Sequence, residues 1–84
     1  MTGRERVIER VLSGASDANI RFADLCALLD ALGFHSRKKG SHHIYWREGV
    51  AEILNLQEKA GKAKPYQVKQ VRSVLVRYKL VGEP

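Results

Sequence analysis

The chain has 84 residues, 44% of them apolar, with seven glycines, two prolines and one cysteine. This allows a single domain over residues 1–84, leaves no room for a second core, and is too apolar for a disordered polymer. The formal net charge of +6 is unevenly spread: residues 1–34 hold four basic and five acidic groups, residues 35–84 eleven and four. A basic half of this kind fits a polyanion or an acidic protein partner. Cys26 has no second cysteine with which to form an internal disulfide, and it is expected as a helix-buried thiol. No apolar run reaches transmembrane length, and Arg4-Glu5-Arg6 is unlike a secretory leader, so a cytoplasmic protein with no membrane partner is expected.

Val7, Ile8, Val11 and Leu12 recur at helical spacing and predict a short amphipathic helix over residues 4–13. Turn formers Ser13–Asp17 interrupt it. A second helix is predicted over residues 22–32, with Phe22, Leu25, Cys26, Leu28, Leu29 and Leu32 on one broad face and Gly33 as its C-terminal cap. From Phe34 the period changes to two. Phe34–Arg37 reads as a strand, Lys38-Lys39-Gly40 as a turn and Ser41–Arg47 as a second strand. Glu48-Gly49 reads as a hairpin turn into a third strand, Val50–Leu56, in which Ala51, Ile53 and Asn55 alternate with Glu52, Leu54 and Leu56. Lys59–Lys64 reads as a flexible basic loop. Pro65 then opens a last helix whose stripe is Val68, Val71, Leu75 and Tyr78, with Lys69, Arg72 and Lys79 on its other faces. The expected class is α+β, with a three-stranded antiparallel sheet that carries helices on one face and leaves the other open.

The chemistry concentrates in Arg37-Lys38-Lys39-Gly40-Ser41-His42-His43-Ile44-Tyr45-Trp46-Arg47. Histidine exchanges protons near neutrality, and the surrounding cations attract phosphodiesters. Lys38, Lys39, Lys62 and Lys64 are suited to steering phosphates, Arg37 and Arg47 to gripping them bidentately, and Gly40-Ser41 to bringing backbone close to them. Alternation places His43, Tyr45 and Arg47 on one face and turns His42, Ile44 and Trp46 toward the core. Tyr45 and Trp46 are rings of the kind that stack on bases, and of the two Trp46 is expected inside. His35 with His42 and His43 lacks the tight spacing of a zinc site, so neither metal nor cofactor is expected.

Leu28-Leu29-Asp30-Ala31-Leu32-Gly33-Phe34, the turn Arg37–Tyr45 and the segment Lys64-Pro65-Tyr66-Gln67-Val68-Lys69-Gln70-Val71-Arg72 together resemble the HicA family of toxins from type II toxin–antitoxin pairs. The resemblance covers residues 20–80, with the helix at 4–13 as an addition. It implies a fold like a double-stranded-RNA-binding domain, α-β-β-β-α. It also implies an mRNA-cleaving endoribonuclease (an mRNA interferase) held inactive by a HicB-like antitoxin. Within it the histidine that follows Gly40-Ser41, His42, is the implied catalytic residue, and His43 is the close second. Two other readings use the same basic surface: a non-catalytic RNA-binding module, and an interaction protein for an acidic partner alone.

Overall fold

The computed structural model describes residues 3–81; residues 1–2 and 82–84, the ends of the expected domain, lie outside them. Helix α1 (Gly3–Ser13) is followed by a single 3-10 turn (Asp17–Asn19) and by α2 (Phe22–Ala31). Strands β1 (His35–Lys39), β2 (His42–Trp46), β3 (Leu54–Lys59) and β4 (Lys62–Ala63) come next, and α3 (Pro65–Arg77) closes the fold. The three helices fall where apolar spacing predicts them. Pro65 stands at the start of α3, where a missing N–H costs nothing. Gly33 follows α2 with φ +85°, and its N–H donates to Asp30 O at 3.1 Å.

The sheet is antiparallel with order β1-β2-β3-β4, so it has four strands where three are expected. The extra strand comes from the segment read as a flexible loop. Ala60 and Gly61, with φ of 53° and 81°, form a two-residue turn that folds Lys62-Ala63 back onto Glu58-Lys59. Paired positive φ values match the right-handed twist of a hairpin, and they outweigh the loop-like composition. The free edge of β4 is covered by the chain leading into α2: Phe22 N–H donates to Gly61 O and Ala63 N–H to Ile20 O, both at 3.0 Å.

Three strand boundaries also differ from expectation by more than one residue, one being the end of β3, which runs three residues past Leu56 to Lys59 as the partner of β4. β1 runs to Lys39, because the Gly40-Ser41 turn is tight enough to pair Lys39 with His42. β3 begins at Leu54, four residues later than read. Val50–Ile53 does not pair because the end of α3 engages it instead: Ala51 N–H donates to Tyr78 Oη (3.2 Å), and Tyr78 O–H donates to Glu52 Oε1 (2.6 Å).

Tyr45, Leu54, Leu56 and Ala63 turn one sheet face inward, onto a core with Ile20, Phe22, Leu25, Leu28, Leu29, Val68, Val71, Val74 and Leu75. Among the described residues no helix covers the opposite face. Parity along β2 is the reverse of the expected one: Tyr45 is 3% exposed and Trp46 38% exposed. Leu54 is the reason, since it stands opposite Tyr45 and is fully buried, which commits that position to the core side. Cys26 is half-buried beside Tyr45, and burial raises the pKa of both the thiol and the phenol above their ordinary values, so neither ionises readily. Arg72 does not simply cover an outer face of α3. It donates to Val11 O (3.0 Å) and pairs with both carboxylate oxygens of Asp17 (2.9 and 3.2 Å), tying α3 to the end of α1.

Candidate functional site

The register assembles the open face row by row. His35 faces Trp46, Arg37 faces Ile44 and Lys39 faces His42 across β1 and β2; Ile44 faces Asn55 and His42 faces Gln57 across β2 and β3. Period-two alternation therefore puts His35, Arg37, Lys39, His42, Ile44, Trp46, Asn55 and Gln57 on one surface.

His42 is exposed at the first position of β2, directly after Gly40-Ser41. Gly40 has φ +61° at the first central position of a two-residue hairpin turn, a conformation that glycine adopts without a steric penalty. With Tyr45 committed inward opposite Leu54, alternation along β2 turns His42 outward, against the inward direction expected from the sequence. The imidazole Nδ1 lies 2.9 Å from Asn55 Oδ1. An amide oxygen only accepts, so Nδ1 carries the hydrogen and the Nε2 of the neutral ring is left with a free lone pair.

Beside His42 a chain of amides fixes a second set of groups. Gln57 Nε2 donates to Ser41 Oγ (3.1 Å), and Lys64 Nζ donates to Gln57 Oε1 (3.0 Å). The buried Gln67 accepts from Gln57 N–H (3.3 Å) and donates to Tyr66 Oη (3.3 Å), which anchors this row to the first turn of α3. Ser41, His42, Asn55, Gln57 and Lys64 thus form one connected surface, with Arg37 and Lys39 on the neighbouring strand.

The other expected site residues lie elsewhere. His43 points to the helix side, where its ring and that of Phe22 make a T-shaped pair at a centroid distance of 4.9 Å and an interplanar angle of 72°. Lys38 pairs with His43 and shares that side, in a shallow depression with Gly40, Ser41, Glu58 and the Ala60-Gly61 turn. One phosphodiester therefore does not lie against both histidines. Arg47, half-buried, extends toward the end of α2, with Nε 3.7 Å from the position a side chain on Gly33 would take. Lys62 Nζ donates to Asn19 Oδ1 (3.2 Å). His35 is held by Glu48, its Nε2 lying 3.1 and 3.0 Å from the two carboxylate oxygens. Glu48 ionises below its ordinary range, owing first to a hydrogen bond from its own backbone and then to His35.

Asn55 and Gln57 are the functional candidates that sequence reasoning missed. Their signal was present: two amides alternating with Leu54 and Leu56 mark polar groups on the outer face of a half-buried strand. Among the described residues no helix is long and apolar enough to cross a membrane, and no group of three or more His, Cys, Asp or Glu is placed to hold a metal ion. Comparison with known protein families, with curated proteins and with solved structures finds no match to this chain.

Proposed function

We propose that the chain is a HicA-type endoribonuclease that cleaves mRNA from the open sheet face, with His42 as the general base. The observation that carries this reading is the placement of His42: exposed, oriented by Asn55 through Nδ1, and set among Arg37, Lys39 and the Ser41–Gln57–Lys64 row. The resemblance of the Arg37–Tyr45 turn to the HicA family supports the same residue. The order from α2 to α3, helix then antiparallel strands then helix, supports the family's double-stranded-RNA-binding-domain-like fold, with β4 as a short addition and α1 as an extra helix.

In the proposed reaction His42 Nε2 takes the proton of a ribose 2′-hydroxyl. The 2′-oxygen then forms a bond to the adjacent phosphorus as the bond to the 5′-oxygen breaks. The products are a 2′,3′-cyclic phosphate and a 5′-hydroxyl, whose proton comes from water on this solvent-open face. Lys39 and Lys64 offset the charge that builds on the phosphorane oxygens. A positioned base contributes about 10²–10⁴-fold in rate. The mechanism moves protons with one side-chain base and water and calls for no metal ion.

The same basic surface suits an acidic HicB-like antitoxin. Such a partner inhibits by lying over Gly40–His42 and excluding RNA, and complementary charge speeds its capture. Expression of the chain alone is expected to arrest growth and degrade mRNA, with both effects lost in His42→Ala. Cleavage by the purified protein is expected to persist in EDTA. RNA decay unchanged by His42→Ala would remove the enzyme reading, and decay abolished by EDTA would remove its metal-free form.

A further inference from the structure

From the geometry we infer a nucleobase-stacking subsite at Trp46 and His35, at the far end of the face that carries His42; the inference rests on the RNA-cleaving reading and names how the substrate is held. Trp46 is a large ring left 38% exposed on a sheet face that no helix covers. Opposite it across the ladder, His35 lies with its ring centroid 5.7 Å away and tilted by 34°. Both oxygens of Glu48 accept at His35 Nε2, so the smaller ring is fixed beside the larger one before any ligand arrives.

The placement of charge indicates which part of a nucleotide goes where. Glu48 repels phosphate at the Trp46 end, while Arg37 and Lys39 on β1 and Lys64 beyond Gln57 attract it at the His42 end. A strand laid along β2 therefore keeps its backbone over the cations and turns a base onto Trp46. Trp46 lies four positions along the strand from His42, about 13 Å at the usual rise per residue. The base bound there belongs to a nucleotide flanking the cleaved bond. Every base has a π face, so stacking holds single-stranded RNA with little sequence preference, whereas a paired base would have to leave its duplex first.

Trp46 is the only tryptophan in the chain, which makes its fluorescence a direct reporter. The probe is a short single-stranded RNA oligonucleotide methylated at every 2′-oxygen, which offers no attacking hydroxyl and so separates binding from cleavage. Titration is expected to quench Trp46. Trp46→Ala is expected to weaken binding, followed by anisotropy of a labelled probe, about 5- to 150-fold, and Trp46→Phe to restore most of the affinity. Binding with no quenching, or an affinity unchanged in Trp46→Ala, would overturn the subsite. Equal quenching by poly-glutamate would overturn it too, since the patch would then answer to an acidic protein and not to a base. If the probe quenches Trp46 but native RNA is never cut, the catalytic reading alone is lost.

Discussion

His42 and His43 are consecutive residues of β2, yet one ring stands on an open surface among amides and cations while the other makes a T-shaped pair with Phe22 at the start of α2. The same contrast repeats one strand over, where Asn55 is exposed and Leu56 is fully buried. In a sheet covered on one face only, neighbouring positions serve different ends. Outward residues are free to carry chemistry because the fold does not rest on them, and inward residues hold the fold without reaching a substrate.

The largest effect expected from this division is at the histidine pair. His42→Ala should lower RNA cleavage about 10²–10⁴-fold while leaving the thermal midpoint almost unmoved. His43→Ala should do the reverse, costing on the order of 1 kcal/mol of stability while keeping a cleavage rate close to that of the parent chain. Cleavage lost only in His43→Ala would move the chemistry to the helix side. Next in size is Leu56→Ala, which should destabilise by about 2–5 kcal/mol in denaturant titration, through lost burial and the cavity left behind. A neutral result there would deny that β3 anchors the sheet.

Asn55→Ala sharpens the outward half of the comparison. Without the amide oxygen at Nδ1 the imidazole loses the contact that fixes its direction. Cleavage should fall about 2- to 10-fold, with little change in folding. Unchanged cleavage would mean that Asn55 does not orient His42. The smallest effect concerns Glu52, whose carboxyl is held below its ordinary range first by the hydrogen bond from Tyr78 and also by Arg77. Its folded pKa is depressed, so its contribution is fully present above the unfolded value and is lost as pH falls through the folded one. Glu52→Gln should flatten the acid-side fall in stability, and an identical slope in the variant would place the acid sensitivity elsewhere.

The helices were legible because each shows an apolar stripe at helical spacing and because Gly33 and Pro65 punctuate them. A turn at Gly40 was legible as a local signal as well, although it reads as Lys38-Lys39-Gly40 and lies at Gly40-Ser41. What the sequence concealed depends on partners far away along the chain. Val50–Ile53 alternates like a strand, but Tyr78 and Glu52 bond to each other and take this segment to the end of α3. The two residues of β4 carry no pattern of their own, and what holds them is pairing with Glu58-Lys59 on one side and Ile20–Phe22 on the other. Alternation alone says that one of Tyr45 and Trp46 is inside but not which, and the inward position was decided by which residue faces Leu54. The outward placement of His42 was concealed too, since alternation turned it toward the core. Its partner Asn55 depends on the β2–β3 register, which no local signal states.

β1 exposes all five of its residues and is joined to the sheet through β2 alone. A strand that buries no side chain is held by its ladder of hydrogen bonds, each worth about 0.5–1.5 kcal/mol net. Its detachment draws little on the free energy of the core, so it belongs to the units that open well below the threshold for global unfolding. Opening there would carry Arg37, Lys39 and His35 away from β2 and would also have to break the contact of His35 with Glu48. The cationic half of the open face is thus the part of the sheet least tied to the core.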